Sequence, residues 1–168
     1  MSENIIPILH DLLMTYTRGA DRADEAIMRS AFHDGATMET GFAATDIDTY
    51  VPAILQRTRS LYRTMSHYVS NERYEIADDH ARGECYVTVF ALTSGDAPEE
   101  VRSGGRYLDR FERREGVWKF VRRTYVHDWK TVRPAAMVPP PGSGIVGGFS
   151  PDDPSMAFWA AALNPTPD

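Results

Sequence analysis

The sequence has little of what several large classes of protein require. It contains a single cysteine, Cys85, among 168 residues. An intrachain disulfide is therefore excluded, which favours the reducing cytoplasm. The N-terminus has neither the basic start nor the apolar run of a signal peptide. No apolar stretch approaches the ~18 residues of a membrane span. We therefore expect a soluble cytoplasmic protein that does not interact with membranes.

Basic patches and metal-binding spacings are also missing. The formal net charge is −6, and the basic residues are scattered along the chain, so a nucleic-acid partner is not expected. His-x-His, Cys-x-x-Cys and His-Glu-x-x-His spacings do not occur, so no metal site is predicted. No glycine-rich phosphate loop joins a strand to a helix, and no Gly-x-Ser-x-Gly occurs. We therefore predict neither a cofactor nor a serine nucleophile.

Hydrophobic periodicity predicts the elements that are present. Apolar residues recur at helical spacing over residues 5–17, and shorter or kinked helices are predicted at 21–32 and 45–62. A short strand is predicted at 36–40. Alternating patterns then predict four longer strands, at 65–77, 81–93, 101–113 and 117–129. This order predicts an α+β fold, in which three N-terminal helices pack on a curved antiparallel sheet.

The composition changes after this domain, which we assign to residues 1–132. Residues 133–168 are rich in proline and glycine and form a predicted tail, with a short apolar helix around residues 156–163. Apolar residues such as Phe158 and Trp159 usually bury against something. The tail is therefore expected either to wrap its own domain or to pack on a neighbouring subunit.

The predicted hairpin at residues 104–124 carries two ionisable side chains on a face that should be covered. Asp109 shares a face with Tyr107, and Arg123 shares a face with Tyr125. Charges on a covered face are costly unless water reaches them or they pair. The hairpin is therefore a candidate cavity wall, although Asp109 and Arg123 could equally pair with each other.

Three further residues could carry chemistry, and each also has a plain structural interpretation. His67 opens a predicted strand and could act as a base if a carboxylate oriented it; otherwise it is a hydrogen-bonded edge residue. Asp21 lies between two predicted helices and could be that partner, or simply an N-cap. Tyr16 could contact a substrate or pack in the core.

Four segments together resemble the SnoaL-like branch of the nuclear-transport-factor-2-like superfamily. They are the helical region around residues 12–21, the turn at 32–36, the strand start at 66–71, and the hairpin. The similarity covers residues 3–132. It implies a cone-shaped fold, in which a curved antiparallel sheet and helices close a deep apolar pocket.

The resemblance also implies roles for particular residues. Superfamily enzymes such as scytalone dehydratase, bile-acid 7α-dehydratase and lindane dehydrochlorinase use a histidine–aspartate pair to remove a proton, without a cofactor. Matched by motif, the aspartate falls on Asp21 and the histidine on His67. Tyr16 and Arg123 match the positions that assist the leaving group or bind substrate.

The predicted function is therefore a cofactor-independent lyase, dehydratase, isomerase or retro-aldol-type enzyme acting on a small hydrophobic, ring-bearing molecule. We expect substrate contacts from Asp109, Tyr107, Tyr125 and His127. Alternatives within the same fold are a non-catalytic binding or accessory subunit, a polyketide cyclase, and an epoxide hydrolase using Asp21, Arg123 and Asp109. The resemblance also predicts a homodimer or homotrimer formed through the sheet.

Overall fold

The structure is a computed structural model, which describes residues 4–41, 44–135 and 144–161. Helices come first along the chain and a sheet follows, as the sequence predicts. The elements are α1 (Ile5–Asp21), α2 (Glu25–Ser30), β1 (Phe32–Glu39), β2 (Ala44–Asp46), α3 (Ile47–Leu61), β3 (Tyr62–Ala77), β4 (His80–Thr93), β5 (Glu99–Arg114), β6 (Val117–Pro134) and α4 (Pro154–Ala160).

The strands form one curved six-stranded sheet in the order β2-β1-β6-β5-β4-β3. The predicted antiparallel meander is confirmed, because β3 to β6 pair in succession. The sheet as a whole is mixed rather than antiparallel, since β1 runs parallel to β6, with Met38 opposite Arg123. This pairing joins strands distant in sequence, so no local pattern predicts it. The α+β fold class is confirmed.

The junction between the first two helices differs from the prediction in a way that affects the site. Helix α1 continues through Gly19 to Asp21. Gly19 allows a close approach of α2, because a Cβ atom there would lie 2.5 Å from the Cα of Met28. The N-cap of α2 is Asp24, whose side chain accepts a 2.9 Å hydrogen bond from the Ile27 amide. Asp21 is therefore not a cap, and its carboxylate can make other contacts.

The core lies between the helices and the inner face of the sheet, and aromatic rings dominate it. Tyr16 packs edge-on against Phe32 and Phe120, with ring centroids 5.8 and 6.5 Å apart. Burying one large apolar side chain contributes about 1.5–3 kcal/mol. Cys85 is also buried, and burial raises the pKa of its thiol to about 12. The thiol is therefore protonated at neutral pH.

The C-terminal strap, residues 147–160, folds back onto the α1–α2 junction. The Ser150 amide donates to the Arg22 carbonyl at 2.7 Å, and its hydroxyl donates to Asp24 at 2.9 Å. Asp153 caps α4 and pairs with Arg22 at 3.1 Å. The described part of the tail folds back onto its own domain, as in one of the two predicted arrangements. The expected burial of Phe158 and Trp159 is not observed, since they remain 73% and 68% exposed. Residues 136–143 and the predicted helix end at Leu163 lie outside the described residues.

None of the helices in the part of the chain that the structure describes is both long enough and apolar enough to cross a membrane.

Replacing Asp153 with alanine is expected to loosen the strap. The carboxylate is buried and accepts hydrogen bonds from the Gly148 and Ser155 amides, each at 2.9 Å. Losing an N-cap alone costs about 1 kcal/mol. Amide hydrogen exchange in α4 should therefore accelerate by about fivefold. Asp152→Ala, an exposed neighbour, is the control, and equal exchange in both variants would contradict the assignment.

The strap should also respond to acid. Burial works to raise the pKa of Asp153, but hydrogen bonds from Ser155 and Gly148 and the charge of Arg22 outweigh it and lower the pKa below its ordinary value of 3.8. A lowered pKa in the folded state means that the carboxylate contributes stability above 3.8 and loses it as the pH falls through the folded-state pKa. At neutral pH this contribution is fully present.

Candidate active site

Asp21 and His67 form a pair held by two hydrogen bonds. Asp21 is the last residue of α1, and His67 lies on β3. Asp21 Oδ1 lies 2.6 Å from His67 Nδ1, and Oδ2 accepts a 3.0 Å bond from the backbone amide of His67. Because a carboxylate only accepts hydrogen bonds, the ring proton is assigned to Nδ1. In the neutral form of the imidazole, Nε2 then carries the lone pair.

His67 lies on the wall of a cavity of about 450 Å³ between α3 and the inner face of the sheet. Most of the wall is apolar or aromatic. It includes three methionines, Met28, Met38 and Met65, and five tyrosines, Tyr16, Tyr50, Tyr62, Tyr107 and Tyr125. Ligand sites commonly have this size and mainly apolar walls with few polar groups. The side chains of His67 and Asp21 are only 9% and 16% exposed to solvent.

Four of the tyrosine hydroxyls on this wall are held in the protonated form by burial. Burial raises the pKa of Tyr16, Tyr50, Tyr107 and Tyr125 above the usual value. For Tyr16, the charge of Arg123 and a hydrogen bond with Tyr50 oppose that rise. These hydroxyls can therefore donate hydrogen bonds to a bound molecule, and that of Tyr16 is polarised by a nearby cation.

Arg123 and Asp109 were predicted to line the cavity, but they lie behind its wall. Two bonds of 2.7 Å join the guanidinium to both oxygens of Asp109, and both residues are buried. The Arg123 Cζ atom is 4.1 Å from the ring centroids of Tyr16 and Tyr107 and 4.3 Å from that of Phe120. A bound molecule meets the rings before it could meet either charge.

Burial and pairing act in opposite directions on this buried pair. Burial raises the pKa of Asp109, and the charge of Arg123 counteracts that rise. For Arg123, burial alone would lower the pKa, but the charge of Asp109 outweighs it and raises the pKa above its ordinary value. Arg123 therefore stays protonated. Its Nη1 atom has no hydrogen-bond acceptor among the described residues, and the surrounding rings face it instead.

The other predicted contact residues do line the cavity. Tyr107 and Tyr125 lie opposite each other on β5 and β6. His127 lies on the wall near solvent, where its ring stacks 5.7 Å from that of Tyr125 and its Nε2 lies 3.0 Å from the Trp129 carbonyl. The structure thus brings His67, Tyr16, Tyr107, Tyr125 and His127 to one cavity.

Among the polar wall residues that sequence reasoning missed are Tyr50, Arg57 and Lys130. Tyr50 and Arg57 come from α3 and lie with Ile54 on one helix face, at i, i+4 and i+7. That spacing is visible in the sequence and could have placed both on the cavity side. The sequence pattern does not predict that Lys130 faces the cavity. Its side-chain direction depends on an irregularity in the pairing of β5 with β6.

The described residues form neither a metal centre nor the three-residue arrangement of an epoxide hydrolase. Within residues 4–41, 44–135 and 144–161, no group of three His, Cys, Asp or Glu side chains could hold a metal ion. Arg123 binds Asp109, but Asp21 is bound to His67, so the three groups form two separate pairs. A second depression, of about 510 Å³, is lined by charged residues such as Arg82 and Arg110 and contains neither His67 nor Tyr16.

A curved, open sheet with N-terminal helices that enclose a cavity places the chain in the nuclear-transport-factor-2-like class of α+β folds. Within that class, a family profile described as the SnoaL-like domain matches residues 8–124. The chain belongs to the SnoaL-like domain family. No protein among those with curated descriptions matches it significantly.

Solved structures share the fold at low sequence identity. A hexachlorocyclohexane dehydrochlorinase (LinA) of type 2 is 23% identical with a TM-score of 0.70, and the match covers 80% of this chain and 92% of that one. The type 3 enzyme from Novosphingobium barchaimii LL02 is 23% identical, with a TM-score of 0.67 and coverages of 79% and 92%. A candidate scytalone dehydratase from Novosphingobium aromaticivorans DSM 12444 is 17% identical, with a TM-score of 0.68 and coverages of 83% and 95%.

Proposed function

We propose that the protein is a cofactor-independent lyase that eliminates a leaving group from a small hydrophobic, ring-bearing molecule. The observation that carries this proposal is the 2.6 Å contact of Asp21 with His67 Nδ1 on the wall of a cavity of about 450 Å³. The dehydrochlorinase and the candidate scytalone dehydratase that share the fold carry names of the same reaction class. That likeness supports the proposal without identifying the substrate.

His67 serves as the base in this mechanism. Nε2 takes a proton from a carbon of the bound molecule, and the C–H electron pair forms a double bond as the neighbouring leaving group departs with its own bonding pair. Asp21 stabilises the imidazolium that results and prevents the ring from rotating, because it holds both Nδ1 and the backbone amide. The imidazolium then returns its proton to the leaving group or to water.

Tyr16 assists the departing group. Tyr16 lines the cavity and its hydroxyl is protonated, so the hydroxyl would donate a hydrogen bond to an oxygen or halide that gains negative charge. Arg123 acts through Tyr16 rather than on the substrate, since the guanidinium lies against the tyrosine ring and is fully buried. We assign Arg123 and Asp109 as positioning residues. Tyr107, Tyr125 and His127 would contact the bound molecule.

The proposal is tested by incubating the protein with a panel of aromatic and terpenoid alcohols in deuterated water. Mass spectrometry then detects the loss of water or the gain of deuterium at carbon. The dehydrated product and the deuterated product both require removal of a carbon-bound proton. Formation of either by the wild type but not by a His67→Ala variant supports His67 as the base. Binding of panel members without any loss of water or exchange would contradict the lyase and favour a non-catalytic binding module.

We also propose that the protein forms a homodimer or homotrimer through the outer face of its sheet. Tyr68, Tyr86 and Trp129 on that face keep 61%, 49% and 45% of their exposure. Exposed aromatic residues clustered on one face are typical of protein interfaces. In sedimentation velocity, the wild type should be oligomeric, and the Tyr68→Glu, Tyr86→Glu double variant should be monomeric. Ile6→Glu, on α1, is the control, and a monomeric wild type would contradict the proposal.

A further inference from the structure

The charged side chains on the cavity wall are all of one sign. Arg57 from α3 and Lys130 from β6 line the cavity, and no aspartate or glutamate does so among the described residues. The chain as a whole carries a net charge of −6. The charge on the cavity wall is therefore opposite in sign to the net charge of the protein. Within residues 4–41, 44–135 and 144–161, neither Arg57 nor Lys130 takes part in a salt bridge.

The nearby carboxylates do not cancel this charge. Asp109 is bound on both oxygens by Arg123, and Asp21 is bound to the amide and ring of His67. Asp128, two residues before Lys130, pairs with Arg106 at 3.7 Å. The Asp109–Arg123 pair is neutral as a unit. The two cations at the cavity are therefore left without an opposite charge facing them from the wall.

Lys130 faces the cavity because the strand pairing shifts beside it. Gly105 pairs with His127 and Gly104 with Trp129, so Asp128 is an extra residue in β6. Such a bulge reverses the alternation of side chains beyond it. Trp129 then lies on the outer face, close over Gly104, where a Cβ atom would come within 2.4 Å of the indole. Lys130, the next residue, points inward.

The position of Lys130 relative to the base can be read from the sheet register. His67, Val89, Ser103 and Lys130 form one row across β3, β4, β5 and β6. All four line the cavity. Three strand spacings separate the backbones of His67 and Lys130 by about 14 Å. Arg57 approaches from α3, on the side of the cavity opposite the sheet. A molecule whose ring lies at His67 can therefore extend toward both cations.

We propose that the substrate is a ring-bearing carboxylate, whose anionic group binds between Arg57 and Lys130 while its ring lies near His67. This inference rests on the proposed function, of which it names the substrate class. The carboxylate would fix the orientation of the ring, so that the reacting carbon meets Nε2. Two exposed cations contribute modestly to affinity, and their main effect is selection of charged over neutral molecules.

The test compares 2-naphthoate with 2-naphthamide, which have the same shape and differ in charge, by isothermal titration calorimetry. We expect the wild type to prefer the carboxylate by about fivefold at low salt. The preference should shrink at high salt, because partly exposed charges are screened. Lys130→Met and Arg57→Met should each reduce it, and the double variant should bind both compounds equally.

A matched control and a separate readout distinguish this inference from the proposed function. Arg63→Met removes an exposed cation of β3 that does not line the cavity, and it should keep the preference. If the wild type prefers 2-naphthoate but shows no elimination activity, the lyase proposal is refuted and the anion site is supported. Equal binding of both compounds by the wild type, binding of neither, or an unchanged preference in the double variant would overturn the anion site.

Discussion

Turnover of a confirmed substrate is expected to fall by about 10²–10⁴-fold when His67 is replaced by alanine, the range that a positioned general base contributes. The substitution removes Nε2, the lone pair that we assign as proton acceptor. Because the alanine side chain leaves the Asp21 carboxylate with the backbone amide of residue 67 as a partner, the fold should persist. The measurement is kcat at saturating substrate, with folding checked by circular dichroism.

Asp21→Asn should lower turnover as well, for a different reason. The amide has nearly the shape of the carboxylate but no charge, so it can donate to His67 Nδ1 instead of accepting from it. The ring would then carry its proton on Nε2, where it cannot accept one from the substrate. Nitrogen-15 NMR of the imidazole reports this change of tautomer directly. A merely structural Asp21 would leave the tautomer unchanged.

His80→Ala is the matched control for both variants. His80 is exposed at the start of β4 and is not part of the cavity wall. Its replacement should leave kcat unaltered. Full turnover by His67→Ala with the same substrate would reject the base assignment, and a loss of similar size in His80→Ala would show that the measured effect is not specific to the site.

The elements of the fold were predictable because their signals are local. Helical spacing between residues 5 and 17 and alternation along the later strands reflect which side chains are buried. Burial follows these periods along α1 and along residues 107–111 of β5. The end of α1 was less visible, because Gly19 looks like a helix end. It lies inside the helix for a packing reason, the approach of Met28, which sequence periodicity does not contain.

The candidate site was predictable only in part. Asp21 and His67 are 46 residues apart, so no spacing rule joins them, and they were paired through resemblance to the family. Alternation correctly predicted that the side chains of Asp109 and Arg123 face inward. It could not predict how deeply they are buried behind the cavity wall. Their burial behind Tyr16 depends on how α1 packs against the hairpin. The inward direction of Lys130 depends on one extra residue in β6.

The largest expected loss of stability follows from replacing Asp109 alone. Asp109→Asn leaves the Arg123 guanidinium fully buried without its counter-charge, and removing one partner of a buried ion pair typically costs about 3–5 kcal/mol. Proteins of this kind are stable by about 5–15 kcal/mol in total. The variant should therefore unfold at a much lower urea concentration, measured by circular dichroism and tyrosine fluorescence.

Arg122→Met provides the matched control. Arg122 precedes Arg123 on β6, but its ion pair with Glu39 is partly exposed, with 49% and 32% of the two side chains accessible. Exposed pairs contribute about 0–1 kcal/mol. The free energy of unfolding should therefore change little in this variant. A cost for Asp109→Asn as small as that for Arg122→Met would mean that Asp109 and Arg123 are not coupled as the geometry implies.

Removing both charges separates stability from function. In the Asp109→Leu, Arg123→Met double variant no buried charge is left alone, so most of the stability lost in Asp109→Asn should return. Turnover should not return with it, because the cation that polarises the Tyr16 hydroxyl is gone while Asp21 and His67 remain in place. If the refolded double variant turned over substrate like the wild type, the buried pair would serve only to stabilise the fold. Reduced kcat with an unchanged His67 tautomer would instead locate the effect of Arg123 at Tyr16.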